Sequence, residues 1–294
     1  MKTIAIYGRS FDPKDKLYIQ TILSQIENYN GKICVYEDFY KLIKNDFKIN
    51  NFIGTFKNKS EIKDSIDYFI SIGGDGTLLD TITLVENSNI PIMGVNVGKL
   101  GFLSSTSAED VNLAIDSLFK QNYIISERTL LSIKKIENSK MPEINYALND
   151  ITISKKDSNA MINIHAYVDD VFLNSYWADG LIVATPTGST AYSLSCSGPI
   201  LTPNSSSFII NAIAPHNLSV RPIIIPDNSK IKLVLEGSSQ LSNLTLDSKT
   251  YTIKNSSKIY IEKEKFKIKL VNMHENDFFQ VIRDKLMWGS DIRN

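Results

Sequence analysis

From the amino terminus to about Tyr123, the chain alternates between short apolar runs and segments whose apolar residues recur at helical spacing. The short runs are β-prone and typical of buried strands: Thr3–Tyr7, Ile33–Tyr36, Tyr68–Ile72 and Ile92–Val95. The helical spacing is carried by Ile19, Ile22, Leu23 and Ile26, by Leu78, Leu79, Ile82 and Val85, and by Val111, Ala114, Ile115, Leu118 and Phe119. This alternation predicts a parallel sheet with helices on its faces.

Two of these helices carry a start signal. Asp12 is followed by Pro13, which suits a capping aspartate with proline in the first turn. The segment from Ser107 to Asp110 resembles a capping box at the start of the third helix.

After about Tyr123 the helical spacing nearly disappears. Short β-type runs separated by turn residues take its place: Leu130–Ile136, Tyr146–Ile153, Met161–Val168, Leu181–Thr185, Phe208–Ala214, Ile231–Leu235 and Lys258–Ile261. This pattern predicts a mostly β domain.

The tail returns to helical spacing between Asp277 and Trp288, through Phe278, Val281, Ile282 and Leu286. We expect this helix to pack back on the first domain. The predicted division is an α/β domain at 1–124, a mostly β domain at 125–270, and a carboxyl-terminal helical segment at 271–294.

Composition narrows the function classes. The chain of 294 residues carries 32 basic and 32 acidic residues, so the whole-chain charge gives no reason to expect nucleic acid or an anionic membrane as a partner. Its two cysteines, Cys34 and Cys196, are far apart and form no CxxC pair. No apolar stretch is long enough for a membrane helix or a signal peptide. We therefore expect a cytoplasmic protein.

The sequence Gly73-Gly-Asp-Gly-Thr77 follows a predicted buried strand and precedes a predicted helix. Ligands collect at this edge of an open α/β sheet, where glycines let the backbone approach phosphate and the helix offers free N–H groups. Asp75 is unusual there, because a carboxylate repels phosphate unless it holds a metal ion or accepts a proton. The alternative is a tight turn that uses its glycines for shape alone. The chain has no Walker A motif.

A second cluster extends from Asp179 to Ser195. A buried strand runs into Thr185-Pro-Thr-Gly-Ser-Thr190, a turn with several hydroxyl groups, and Tyr192 follows. Such a turn can offer N–H and O–H donors to phosphate or sugar oxygens, and a tyrosine can stack on a base. The alternative is a turn whose hydroxyls cap its own backbone.

With these motifs, the sequence resembles the NAD kinase family over nearly its full length. Besides Gly73–Thr77 and Asp179–Ser195, the segments that match family motifs are Ile90–Leu103, Leu148–Asp150, His216–Pro222 and Arg283–Gly289. The resemblance implies a β-sandwich-like second domain that carries the dinucleotide pocket. It also implies transfer of the γ-phosphoryl group of ATP to the 2′-hydroxyl of the adenosine ribose of NAD, with Mg²⁺ or another divalent ion, in a homodimer or homotetramer.

The resemblance also assigns site residues. Asp75 would be the general base, and Gly73, Gly74, Gly76 and Thr77 would line the donor site. Asn149 and Asp150 would hold the adenosine ribose and adenine, and Asp179 would face the nicotinamide end. The remaining residues expected at the dinucleotide are Trp177, Thr187, Thr190, Ala191, Tyr192, Ser193, Leu194, Ser195 and Ala214. No side chain is assigned as a metal ligand; nucleotide phosphates would hold the ion, with Asp75 as a candidate.

Two departures from the family pattern leave questions open. Asp247-Ser-Lys249 stands where the family often has Asp-Gly-Gln, so a ligand contact at Lys249 is in doubt. Trp177 stands where some members have a charged residue, which leaves the choice between NAD and NADH open.

Arg9, after the first strand, could reach a phosphate or remain solvated.

Three other functions compete with this hypothesis. A lipid kinase of the diacylglycerol or sphingosine type shares the GGDGT loop but continues it differently, and a phosphofructokinase-like enzyme shares only GGDG. The third is a non-catalytic pyridine-nucleotide-binding module, which would have no need for Asp75.

Overall fold

The computed structural model describes residues 1–62, 66–98, 101–104, 106–156, 161–237, 240–273 and 278–289. The chain forms two compact units. Unit 1 comprises Met1–Glu127 together with Ile268–Asn294, and unit 2 comprises Arg128–Lys267. The boundaries lie a few residues from those predicted, and strand residues 268–270, which the sequence assigned to the β domain, belong to unit 1.

Unit 1 is built on an eight-stranded sheet in the order β3-β2-β1-β4-β5-β20-β7, with β6 alongside β5. The strands are β1 (Thr3–Gly8), β2 (Lys32–Tyr36), β3 (Phe52–Phe56), β4 (Tyr68–Ile72), β5 (Ile92–Asn96), β6 (Thr106–Ser107), β7 (Ile124–Arg128) and β20 (Ile268–Asn272). The pairs from β3 through β20 and the β5–β6 pair are parallel, so the predicted parallel sheet is confirmed.

The helices of unit 1 are α1 (Lys16–Asn28), α2 (Glu37–Ile43), α3 (Asp75–Val85), α4 (Val111–Lys120) and α6 (Phe278–Leu286). Short 3₁₀ segments lie at Pro13–Asp15, Lys59–Glu61 and Glu86–Ser88. The Asp12 side chain accepts from Lys14 N and caps the first of these segments, as the sequence indicated. Ser107 and Asp110 are hydrogen-bonded to each other, but α4 begins only at Val111.

The core of unit 1 joins its first helix, its fourth helix and the central strands. Ile19, Ile22, Leu23 and Ile26 of α1 share one buried cluster with Val111, Ala114, Ile115 and Leu118 of α4 and with apolar residues of β1, β2, β4, β5 and β20. The helical spacing read from the sequence therefore marks the buried faces. Helix α2 and strand β3 were not predicted, because Phe39 and Ile43 are the only fully buried positions of α2 and β3 is half exposed.

The carboxyl-terminal segment completes unit 1. Strand β20 lies between β5 and β7, with Leu270 opposite Ile92, and α6 follows. In α6, Lys285 Nζ lies 6.0 Å from the centre of the Phe102 ring. Asp277 and the tail 290–294, which belonged to the predicted helical segment, lie outside the described residues.

Unit 2 consists of two six-stranded sheets with antiparallel pairing, ordered β12-β11-β16-β19-β8-β9 and β15-β14-β13-β10-β17-β18. The strands are β8 (Leu131–Glu137), β9 (Tyr146–Ala147), β10 (Asp150–Lys155), β11 (Ile162–Val168), β12 (Val171–Ala178), β13 (Gly180–Ala184), β14 (Ser207–Ile213), β15 (Ile223–Pro226), β16 (Ile231–Glu236), β17 (Leu241–Leu246), β18 (Lys249–Lys254) and β19 (Lys258–Lys263). The 3₁₀ segment Thr187–Thr190 and the helical turn α5 (Tyr192–Ser195) follow β13.

One hydrophobic core takes residues from both sheets of unit 2, including Ile133, Ile164 and Leu233 from the first and Ile153 and Phe208 from the second. This is the arrangement of a β-sandwich, and it confirms the expected fold class. The predicted strand Tyr146–Ile153 is in fact two strands, since β9 and β10 belong to different sheets. No described helix is long and apolar enough to span a membrane.

Replacing Leu270 with alanine tests whether the returning strand stabilises unit 1. Leu270 is 2% exposed in β20, and truncating a buried leucine costs roughly 2–5 kcal/mol. Urea unfolding monitored by circular dichroism should show this loss. Lys269→Ala, on the half-buried side of the same strand, should change the unfolding free energy by less than about 0.5 kcal/mol. Equal effects of the two substitutions would contradict the packing described.

Candidate active site

The Gly73–Thr77 loop joins β4 to α3. Gly73 has φ +144°, and a Cβ there would lie 2.4 Å from Thr77 Oγ1, so both conformation and space require glycine. Gly74 forms the amino-terminal cap of α3 and is exposed. Thr77 is buried, and Thr81 Oγ1 donates to Ser71 Oγ over 2.9 Å, which ties the first turns of α3 to the end of β4.

The Asp75 carboxylate is bound by the loop at residues 101–104. Backbone N–H groups of Phe102, Leu103 and Ser104 donate to it over 2.8, 3.1 and 3.1 Å. Two of these bonds reach Oδ1 and only the bond from Phe102 reaches Oδ2. A Cβ at Gly101 would lie 1.8 Å from Oδ1, so glycine is needed for the loop to wrap the carboxylate.

This geometry limits what Asp75 can do. A carboxylate has about four acceptor positions, and the described loop uses three of them. Its remaining capacity is on Oδ2, which can accept one more hydrogen bond. The carboxylate is therefore fixed in orientation, with one oxygen able to meet a hydroxyl group or a metal ion.

Arg9 lies beside the same loop. Its Nε donates to Asp80 Oδ2 over 2.5 Å, and Tyr7 Oη donates to the same oxygen over 3.0 Å. Burial and the neighbouring Asp80 raise the pKa of the Tyr7 phenol. A Cβ on Gly76 would be 3.6 Å from Arg9 Nη1, so the guanidinium stands against the first turn of α3. Arg9 is therefore paired with Asp80, and its side chain remains 51% exposed.

In unit 2, the turn at Leu148–Asn149 connects β9 to β10. Backbone N–H groups of Leu148, Asn149 and Asp150 donate to the Asp247 carboxylate over 2.8, 2.7 and 3.2 Å. Thr185 donates to the carbonyl groups on the other side, from Oγ1 to Leu148 O over 2.5 Å and from N to Asn149 O over 2.9 Å. The backbone of this turn is thus bonded on both sides.

Asp150 is a buried carboxylate, 6% exposed. Burial raises its pKa to about 7, an effect that Thr152 opposes by donating to Oδ1 and that the charge of Asp247 reinforces. Burial likewise raises the pKa of Asp247 to about 6, against the three backbone donors, which lower it. Two carboxyl groups with raised pKa values therefore lie side by side.

Several hydroxyls of the 185–195 segment bond to its own backbone, which was the alternative reading of this motif. Ser189 Oγ donates to Pro186 O over 2.6 Å, and Thr190 Oγ1 donates to Thr187 O over 3.2 Å. Ser193 is fully buried against Asn211. A Cβ on Gly188 would lie 2.0 Å from Asn149 O, so Gly188 lets this segment pack directly on the Asn149 turn.

Other residues of the segment face outwards. Tyr192 is 46% exposed, and Ser195 is also exposed. The pKa of Tyr192 is raised by burial of its phenol and by the charges of Cys196, Asp150 and Asp179. The charges of Asp150 and Asp179 thus both act on the Tyr192 phenol, although Asp150 is far from Tyr192 in sequence.

Asp179 and Trp177 each have a partner within unit 2. Lys155 Nζ lies 2.6 Å from Asp179 Oδ1. The Trp177 ring lies against His216, with ring centres 4.3 Å apart, and His216 N donates to Trp177 O over 2.9 Å. Trp177 and Ala214 are exposed, and Ala214 has φ +43°.

Comparison with known proteins decides the family. Residues 40–123 match the ATP-NAD kinase N-terminal domain and residues 148–273 match the ATP-NAD kinase C-terminal domain. The chain is 42% identical to the NAD kinase of Flavobacterium psychrophilum over 294 residues, covering 99% of both chains. It is 35% identical to the NAD kinase of Porphyromonas gingivalis over 294 residues, covering all of both.

The chain belongs to the ATP-NAD kinase family.

Solved structures agree with this assignment. A yeast NADH kinase complexed with NADH superimposes with a TM-score of 0.88 at 26% identity, covering 100% of this chain and 89% of the other. An NAD kinase from Archaeoglobus fulgidus in complex with ATP has the same fold, with a TM-score of 0.74 at 23% identity and coverage of 98% and 99%. The expected family, fold class and kinase activity are confirmed; the roles of single residues remain predictions.

The structure also brings to these clusters residues that the sequence did not mark. Gly101 closes the loop around Asp75, Lys155 pairs with Asp179, and Asp247 holds the Asn149 turn. Gly101 lies within a matched motif, which was a usable signal. Asp247 was noted only as a departure from a motif, and its partners are 97–99 residues away in sequence.

The described residues contain no group of three or more histidine, cysteine, aspartate or glutamate side chains arranged to hold a metal ion. His165 is bonded to Ser175 and Glu236, and His216 to the Trp177 backbone, so both have partners in unit 2.

Replacing Asp150 with asparagine should change how the stability of this kinase depends on pH. The folded pKa, about 7, lies above the unfolded value of about 3.9. The favourable contribution of Asp150 to the free energy of unfolding is therefore complete below about pH 4 and is lost as the pH rises through about 7. The free energy of unfolding of Asp150→Asn, taken relative to that of wild type, should therefore be about 1–3 kcal/mol higher at pH 8 than at pH 5. Urea unfolding at the two pH values measures this difference.

The control is Asp170→Asn, whose side chain is 92% exposed in the same unit. It should shift stability equally at pH 5 and pH 8. A constant difference between Asp150→Asn and wild type across this range would show that Asp150 ionises normally in the folded protein.

Proposed function

We propose that this protein is an NAD kinase that transfers the γ-phosphoryl group of ATP to the 2′-hydroxyl of the adenosine ribose of NAD. The 2′-oxygen forms a bond to the γ-phosphorus, the bond from that phosphorus to the β–γ bridging oxygen breaks, and ADP leaves. The products are NADP and ADP. The observation that carries the proposal is the fixed Asp75 carboxylate in a glycine loop, in a chain related over its whole length to NAD kinases.

Asp75 serves as the general base in this proposal. A base must lie within hydrogen-bond reach of the proton that it removes. The three N–H donors from Phe102–Ser104 hold the carboxylate still and leave Oδ2 able to accept the 2′-hydroxyl. The proton then moves to Asp75 as the oxygen attacks phosphorus. The rigid carboxylate avoids the loss of orientation that a mobile base would impose.

The donor phosphates bind at Gly73, Gly74, Gly76 and Thr77. Gly74 is exposed, and nothing lies within 4 Å of where its Cβ would be, so the backbone is open to a ligand. Helix α3 begins directly after Gly74, and the N–H groups in the first turn of a helix can bind phosphate. Arg9 adds a positive charge beside Gly76. Positioning and charge stabilisation account for most of the catalysis of phosphoryl transfer.

The acceptor binds in unit 2. Asn149 and Asp150 receive the adenosine ribose and adenine, with an amide that can both donate and accept and a carboxylate that accepts. Asp179 faces the nicotinamide end, and Tyr192 lies against a ring. The other residues proposed to line the dinucleotide are Trp177, Thr187, Thr190, Ala191, Ser193, Leu194, Ser195 and Ala214. Ser193 would contribute through its backbone, since its side chain is buried.

A divalent cation such as Mg²⁺ accompanies ATP in this proposal. When bound, it neutralises charge on the phosphate oxygens. The open position on Asp75 Oδ2 suits a hard cation as well as a hydroxyl group, and the phosphates would supply its other ligands. The described residues that surround Asp75 offer backbone N–H groups, which repel a cation, so Asp75 is at most one ligand.

We further propose a cytoplasmic homodimer or homotetramer. Both cysteines are free thiols, which suits a reducing compartment. Strand β12 lies at the edge of its sheet, with Val171 70% and Phe172 54% exposed. An exposed apolar edge strand is a surface that a second copy can cover.

The direct test incubates the purified protein with NAD, ATP and Mg²⁺ and detects NADP with an NADP-specific dehydrogenase. We expect NADP to accumulate with equimolar ADP. A parallel reaction with NADH tests the second acceptor, which the likeness to a yeast NADH kinase favours. Binding of NAD without any NADP above the blank would instead support a binding module.

Asp75→Asn should lower turnover by about 10²-fold or more while leaving NAD and ATP affinity within a few-fold of wild type. The amide keeps one oxygen for the 101–104 loop but cannot take up the proton. Steady-state kinetics and calorimetric binding measure the two effects separately. The control Asp38→Asn changes an exposed carboxylate of α2 and should leave kcat unaltered. Near-normal turnover of Asp75→Asn would remove Asp75 from the chemistry.

A further inference from the structure

Asp247 is a buried carboxylate of unit 2 to which the proposed function assigns no role. We infer that Asp247 is a positioning residue that holds the Asn149–Asp150 turn in the shape that receives the adenosine ribose. The inference rests on the proposed function, in which Asn149 and Asp150 contact the acceptor nucleotide. Asp247 itself acts on the backbone of the turn.

The contacts are unusually complete for one side chain. Three consecutive N–H groups converge on the Asp247 carboxylate: Leu148 N donates to Oδ2, and Asn149 N and Asp150 N donate to Oδ1. Asp247 N donates in return to Asp150 O over 3.1 Å. Asp247 occupies the β17–β18 turn with φ +51°, a conformation that aspartate tolerates better than most residues. Its own loop is therefore shaped to present the carboxylate.

The topology explains why such an acceptor is needed. Strand β9 pairs in one sheet of the sandwich and β10 in the other, so the chain crosses between sheets at Leu148–Asn149. Backbone N–H groups at a crossing have no strand partner, and buried N–H groups must be paired. A carboxylate is the side chain that can accept three donors at once. Alanine or serine at position 247 could not replace it.

The carbonyl side of the turn is fixed independently. Thr185 binds Leu148 O and Asn149 O, and Gly188 packs against the Asn149 backbone. None of these bonds uses the side chains of Asn149 or Asp150. The backbone of the turn is thus held from both sides, while its two side chains are presented by a rigid support. Preorganisation of this kind lowers the cost of ordering the site when a ligand binds.

Asp247 also bears on the charge of the site. Its carboxylate is buried next to that of Asp150 and contributes to the raised pKa of Asp150. Removing the charge of Asp247 therefore changes two properties of the turn, its shape and the proton affinity of Asp150. The asparagine variant separates them, because it removes the charge and keeps one acceptor oxygen.

The experiment compares Asp247→Asn and Asp247→Ala with wild type in steady-state kinetics with NAD and with ATP varied in turn. We expect Asp247→Ala to raise KM for NAD by about tenfold or more and Asp247→Asn by a smaller factor, with KM for ATP within about twofold. Amide hydrogen exchange provides a second readout that needs no substrate. Exchange at residues 148–150 should accelerate in both variants.

The matched control is Asp227→Asn, which removes another buried carboxylate of unit 2, one bonded to Lys263. It should lower stability without raising KM for NAD or accelerating exchange at 148–150. If Asp247→Ala does not fold, Asp247→Asn carries the test. Unchanged KM for NAD, or unchanged exchange at 148–150, in folded Asp247→Asn overturns the inference.

The two proposals fail differently. If wild type forms no NADP but binds NAD, the proposed kinase reaction fails, and calorimetric NAD affinity replaces KM as the readout for Asp247. If both variants accelerate exchange at 148–150 while NAD affinity stays at the wild-type value, the turn is held by Asp247 without serving the nucleotide. That result overturns the inference and leaves the proposed reaction intact.

Discussion

Two aspartates each bind three successive backbone N–H groups, and the proposed donor motif of unit 1 and the proposed acceptor motif of unit 2 each depend on one of them. Asp75 binds the loop at 102–104, and Asp247 binds the turn at 148–150. Both loops leave regular secondary structure, where buried N–H groups lose their ladder partners. A carboxylate pairs them without adding a donor of its own. Asp75 itself is the proposed general base. Asp247 instead holds the backbone of Asn149 and Asp150, which are proposed to bind the nucleotide.

Hydrophobic patterning predicted the fold where burial is one-sided or complete. Strand Tyr68–Ile72 is buried throughout and α1 buries one stripe, so both were evident from the sequence. Patterning did not predict elements that are only partly buried, or features that depend on which strands pair with each other. Strand β18 is rich in threonine and lysine and was not predicted. Which sheet a strand joins depends on tertiary pairing, so the break between β9 and β10 could not be read locally.

The candidate site was predictable to the extent that it lies in contiguous motifs. Gly73–Thr77 and Asp179–Ser195 could be recognised from strand–turn–helix context and from family motifs. Local pattern could not show which hydroxyls of the second segment donate to the segment's own backbone, as those of Ser189 and Thr190 do. Nor could it show the role of Asp247, since a carboxylate that binds a backbone leaves no signature in the residues that it binds.

The return of β20 to unit 1 also has a consequence for how the chain is made. The strand lies between β5 and β7, yet it follows the whole of unit 2 in sequence. During synthesis, β5 therefore lacks its partner strand β20 until unit 2 has been translated. The domain that leaves the ribosome first is completed last, and an unpaired strand edge is open to wrong partners in the meantime. A chain that ended at Lys267 would thus contain all of unit 2 and would lack β20 and α6 of unit 1.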